Sequence, residues 1–347
     1  MRITALPLSV LLVAAASPPD TVRIAPPYID APEMAAQRAM PHGTVYSFIM
    51  RSQDSRIYPG IRQLDNAVTQ RRDAYGNRIA APVGEQSEAT PYRREVFVYI
   101  PAGYRHGTEA PLLVVQDGRD YAVRVAAALD SLIAAHRVPR IVAVMIQSGG
   151  GDAQGSERGL EYDTVSGRYA EFVEREVLPQ VTALYNVRFT HNPALRAAMG
   201  GSSGASAAFA MAWFHPEWYG KVLSYSGTFV NQASPVDPLT PRGAWDIHDR
   251  LIPGVPRKPI RMWMEVGTKD LHWQDPESTY HNWPMANDRM AVALRAKGYD
   301  YRYVVAENAA HVDGNVIAQT LPGALEWLWR DDGKGLSPRE GRSRTHI

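Results

Sequence analysis

The chain has 347 residues, 45% of them apolar and 21% charged, with 37 Lys and Arg against 36 Asp and Glu. A balance of +1 leaves no basic excess to displace counterions from phosphate, which argues against nucleic-acid binding. Cysteine is absent, which excludes disulfides, a thiolate nucleophile and thiolate metal sites, and no apolar run reaches the roughly 20 residues that span a bilayer.

Residues 1–16 carry Arg2, then an apolar stretch to Val13, then Ala14, Ala15 and Ala16. This pattern of charged start, apolar centre and small residues predicts a signal peptide and a periplasmic or secreted protein. Residues 17–40 are rich in Pro and Ala with no strand pattern and read as an extended arm. Strand-like runs follow at 44–50, 95–100, 111–116, 140–147, 196–199, 221–225, 260–266 and 301–306. Several, such as Leu112 to Val115 and Ile141 to Ile146, are apolar on both faces, which belongs to a sheet covered on both sides. Helical patterns lie between them. The segment 121–136 lines up Val125, Leu129, Leu132 and Ile133 on one stripe. The segment 169–185 does the same with Phe172, Val173, Val177, Val181 and Leu184. Further helices are expected at 206–214, 286–297 and 323–329. Alternation of strand and helix predicts an α/β fold: a mostly parallel eight-stranded sheet with helices on both faces, one domain over 41–330. Residues 331–347 mix Gly, Pro, Ser and Arg without apolar periodicity and read as a flexible tail.

The chemistry-bearing motif is Gly200-Gly201-Ser202-Ser203-Gly204, a G-x-S-x-G with Ser202 at its centre. It follows a short apolar strand and opens an Ala-rich helix, the context of a nucleophile elbow. Small residues two positions either side allow the chain to fold back, and the turn lifts the hydroxyl above the sheet. It also turns the Ser203 backbone N–H and the helix N-terminus toward a developing oxyanion. A serine hydroxyl needs a base oriented by a carboxylate, in the chain order Ser, acid, His. His311 follows the last strand and a short loop, so it is the expected base. Asp270 lies just past the end of the strand 260–266 and is the expected acid; Asp275 is the reserve, and Glu265 inside the strand is expected to point sideways. A second oxyanion donor is expected from the turn after the third strand, at the N–H of Gly118 or Arg119, with Gly118 allowing close approach to substrate.

These residues resemble the putative-esterase branch of the α/β-hydrolases, most nearly enterochelin-esterase-like exported proteins. The likeness runs from about Arg94 to Arg330. It rests on Val98-Tyr99-Ile100-Pro101 leading to Tyr104, Gln116-Asp117-Gly118, Arg158 to Glu161, Tyr169-Ala170-Glu171-Phe172 running to Leu178-Pro179, Phe214-His215-Pro216-Glu217 and Ser224-Tyr225-Ser226-Gly227. The resemblance, which extends to feruloyl and acetyl xylan esterases, S-formylglutathione hydrolases and mycolyltransferases, implies an ester hydrolase with Ser202, Asp270 and His311 as its triad. Two departures are Ala205, where the branch often has a second Gly, and Ala309-Ala310, where it often has Gly-Gly.

No metal or organic cofactor is required by this chemistry. The expected partner is a small-molecule or oligosaccharide ester of carbohydrate, phenolic or siderophore type, without nucleic acid and without membrane insertion once the signal is removed. Two segments are expected to shape the pocket: 148–162, and 271–283 with His272, Trp273 and Trp283, whose rings suit a sugar or phenol or else pack a rim or dimer interface. Arg119, Arg158 and Lys269 are candidate contacts for an anionic substrate, and 228–259 is a candidate cap. The competing functions are an acyltransferase on the same residues and a binding protein that keeps the hydrolase fold.

Overall fold

The computed structural model describes residues 21–35, 40–63, 87–89, 91–149, 157–232, 237 and 239–330; the expected signal peptide and tail lie outside them. All eight expected strands form: β2 (Thr44–Arg51), β3 (Arg93–Ile100), β4 (Leu112–Gln116), β5 (Val142–Ile146), β6 (Arg196–Gly201), β7 (Lys221–Tyr225), β8 (Arg261–Gly267) and β9 (Asp300–Ala306). A ninth, β1 (Thr21–Ile24), lies in the segment read as an extended arm without strand pattern. Its four residues are too few to show a period, and it exists because the edge of β9 offers it parallel hydrogen-bond partners, Thr21 opposite Tyr303 and Ile24 opposite Ala306. The arm is then tied down where Ala31 N–H donates to the Ala318 carbonyl at 3.1 Å and Ser131 Oγ donates to the Glu33 carbonyl at 2.7 Å.

The sheet order is β1-β9-β8-β7-β6-β4-β5-β3-β2, parallel from β1 to β5, with β3 and β2 antiparallel. Alternation in β4 and β5 builds the two cores. Leu112, Val114, Val142 and Val144 face one side, and Leu113, Val115, Ala143 and Met145 face the other. Helices α1 (Gly118–Ala134) and α6 (Gly314–Trp329) cover the second side, through Val125, Leu129 and Leu132 and through Leu321, Leu325 and Leu328. The first side is covered by α3 (168–185), α4 (Ser203–Phe214) and α5 (Trp283–Ala296); a short α2 (Glu157–Tyr162) precedes them.

In α3 the expected stripe holds for Phe172, Val173, Val177 and Val181, but Leu184 is exposed. A wide π turn at Val173–Val177 shifts the helical phase and rotates the last turn outward. Among the described residues of the expected cap at 228–259, Ala244, Trp245, Ile247 and Ile252 are instead buried in the same cluster as α4 and α5. Among the described residues no helix is long and apolar enough to cross a membrane.

Candidate active site

The carboxyl ends of β6, β8 and β9 carry the chemistry. β6 ends at Gly201, and Ser202 sits in a strained turn with φ 56° and ψ −130° before α4 begins at Ser203. The turn is held because Ser202 N–H donates to the Tyr225 carbonyl at 2.9 Å. The glycines of the motif are required by contact. A Cβ on Gly200 would lie 2.3 Å from the Gly204 backbone, and one on Gly204 would lie 2.9 Å from Gln116 Cβ.

His311 stands in the loop between β9 and α6, and Asp270 in the loop after β8. The two loops are zipped together: Lys269 N–H donates to the Ala309 carbonyl at 3.0 Å, and Asn308 N–H to Thr268 Oγ1 at 2.8 Å. Val312 N–H donates to Ser226 Oγ at 2.9 Å, fixing the other side of the histidine. The result is a line of three groups. His311 Nε2 lies 2.8 Å from Ser202 Oγ, and His311 Nδ1 lies 2.5 Å from Asp270 Oδ1. Asp270 is buried, and its Oδ1 also accepts from Leu271 N–H at 2.6 Å. Asp275, the reserve acid, faces His272 at 2.9 Å. Glu265 points away into the core, where burial and the nearby Asp270 push its carboxyl well above the usual range.

Ser203 is the first residue of α4, and the opening N–H groups of a helix have no intrahelical acceptor, so its N–H is available beside Ser202. The turn after β4 differs from expectation. Arg119 N–H is used on Gln147 Oε1 at 3.2 Å, and its guanidinium pairs with Glu95 at 2.8 Å. At Gly118 a Cβ would stand 2.4 Å from the Met145 carbonyl, which by itself requires glycine there.

A cavity of about 540 Å³ opens on Ser202 and His311. Its lining mixes the apolar Val312 and Ile317 with the charged Asp120, Arg124 and the pair Arg158–Asp117. Arg158 Nη2 and Nε reach the two Asp117 oxygens at 2.9 and 3.2 Å. The aromatic segment divides. Trp283, 2% exposed, stands edge-on to His311 and stacks on His272, so it backs the imidazole. Trp273 is 46% exposed and does not line the cavity, and Lys269 is exposed as well. Among the described residues no group of His, Asp and Glu side chains is placed to hold a metal ion.

A family model described as "Putative esterase" matches residues 87–325. The chain belongs to the putative-esterase family. Solved structures of similar shape share its α/β-hydrolase fold. The enterobactin esterase of Shigella flexneri superposes with a TM-score of 0.56 at 19% identity, covering 84% of this chain and 62% of that one. The chain thus spans about three fifths of that protein's length. A ferulic acid esterase gives 0.55 at 14% identity, covering 84% and 98%, and one from Anaeromyces mucronatus gives 0.54 at 12%, covering 85% and 93%. No curated protein matches the chain.

The site includes residues that the sequence motifs do not mark. Asp117, Asp120, Tyr121 and Arg124 line the cavity because α1 begins at Gly118, three residues earlier than the apolar stripe indicates. Asp117 takes a left-handed conformation, φ 53°, at the start of that helix; an Asp-Gly pair after a strand was the available signal. Thr228, whose Oγ1 lies 3.4 Å from Ser202 Oγ, directly follows Ser226-Gly227 in the loop after β7.

Proposed function

We propose that this esterase cleaves a small carboxylic ester through an acyl-enzyme on Ser202. The observation that carries the reading is the unbroken line from Ser202 Oγ through His311 to Asp270, with contacts of 2.8 and 2.5 Å. His311 Nε2 takes the Ser202 proton as the hydroxyl attacks the ester carbonyl, and Asp270 holds Nδ1–H and steadies the imidazolium. The oxyanion forms beside the Ser203 N–H. The C–O bond to the leaving alcohol then breaks, the alcohol takes the proton from His311, and water repeats the sequence on the acyl-enzyme.

A cavity lined by both apolar and charged side chains suits an ester that joins a hydrocarbon or aromatic part to a polar one, as carbohydrate, phenolic and siderophore esters do. The test is a panel of p-nitrophenyl, feruloyl and acetylated-sugar esters, assayed beside Ser202→Ala. The variant is expected to lose about three decades or more of kcat on every ester the native protein cleaves. Equal turnover by the two proteins would overturn the proposal.

A further inference from the structure

Three cations were candidates for an anionic part of the substrate, and the structure removes all three from that role. Arg158 is held by Asp117 in a two-bond pair at 2.9 and 3.2 Å, which leaves the two together neutral. Arg119 pairs with Glu95 at 2.8 Å, and neither it nor Lys269 lines the cavity on Ser202 and His311. A fourth cation does line it. Arg124 stands on α1 one turn after Asp120 and is half-buried. Among the described residues its guanidinium forms no ion pair and makes one long hydrogen bond, in which Nη1 donates to the Asp120 backbone carbonyl at 3.4 Å. Asp120, the one acid of the lining outside the Arg158 pair, is exposed, so water and salt screen its charge. On its other side Arg124 lies against Gly314, the first residue of α6, where a Cβ would stand 3.1 Å from Nη2. Gly314 lines the cavity as well, so the guanidinium rests on bare backbone along the cavity wall.

A guanidinium carries five donors in a rigid fork, and partial burial strips it of water without giving it an acid in return. Resting on the ester-cleavage reading above, we propose that Arg124 determines specificity, and that the ester it selects carries an ionised carboxylate besides the bond that is cleaved. A carboxylate matches the fork with two parallel, charge-assisted hydrogen bonds. Arg124 stands outside the line from Ser202 to Asp270, so it chooses between esters and takes no part in the bond changes. The choice is read as a ratio of kcat/KM between a charged ester and its neutral counterpart.

The experiment uses two pairs of esters whose members differ in that charge. Mono-p-nitrophenyl adipate against p-nitrophenyl hexanoate places the carboxylate on the acyl side, and 4-acetoxybenzoate against 4-acetoxybenzamide places it on the alcohol side. Each is assayed at low salt with the native protein, Arg124→Gln, Arg124→Lys and Ser202→Ala. The native protein is expected to favour the charged member of at least one pair by about tenfold or more in kcat/KM. Arg124→Gln is expected to bring that ratio down to about one, and Arg124→Lys, which keeps the charge without the fork, to recover part of it. A native protein with no preference in either pair overturns the inference, as does a preference that Arg124→Gln leaves unchanged. Should Arg124→Gln not fold, the native ratio and its decline in Arg124→Lys decide. Activity surviving in Ser202→Ala on every ester marks failure of the catalytic reading itself, separately from the ratio.

Discussion

The indole of Trp283 stands edge-on to the imidazole of His311, with ring centroids 5.8 Å apart and planes at 86°. His272 stacks on the same indole at 5.8 Å and 21°, and His281 meets it edge-on at 5.1 Å. Trp283 is thus a wall that fixes the angle of the imidazole about its two hydrogen bonds. Because it opens α5 and is buried, it does this from a rigid element.

Replacing Trp283 by Phe removes part of that wall while keeping an aromatic ring. His311 gains room to tilt away from Ser202, and a small misplacement of a base is costly to rate. The expected outcome is a fall in kcat of about tenfold or more with KM little changed, read in steady-state kinetics on a p-nitrophenyl ester. A raised KM with unaltered kcat would mean that Trp283 binds substrate directly.

The acid can be identified by a pair of variants. Asp270→Asn leaves the shape in place but cannot stabilise the imidazolium, and kcat is expected to fall by about three decades. Asp275→Asn touches only the exposed contact with His272 and is expected to leave kcat within about twofold. Similar losses in both would make Asp275 part of the machinery.

His248 sets an acid limit on stability. It is buried, its Nε2–H donates to the Phe229 carbonyl at 3.1 Å, and burial lowers its pKa to about 3, with the cations Arg289 and Arg242 adding to that. In the unfolded chain the imidazole charges near 6.5, so stability is complete above that value and is lost as pH falls toward 3. His248→Gln keeps a donor for Phe229 and cannot charge. Between pH 7 and 5 native stability is expected to drop by about 2 kcal/mol more than that of the variant, measured by urea denaturation. Parallel pH dependence in the two proteins would remove His248 from the account.

Ser202, Asp270 and His311 were legible because each is tied to a local signal that survives in one dimension. A G-x-S-x-G between strand and helix, an Asp past a strand end and a His after the last strand are set by the order of elements along the chain. The eight long strands and the helix stripes were legible for a related reason: apolar periods of 2 and 3.6 are written residue by residue. What the sequence by itself determined is therefore the fold class and the identity of the three aligned groups.

The tertiary structure decided what depends on neighbours far apart in sequence. β1 is a strand only because β9 presents an open edge to it. Arg119 is diverted because Gln147 lies across β4 and β5 from it, and Trp283 becomes a support because α5 begins beside the His311 loop. Arg158 is held by Asp117, an acid 41 residues earlier in the chain. Hydrogen bonds and desolvation are properties of three-dimensional surroundings, and a one-dimensional pattern carries no record of which acid a guanidinium will choose.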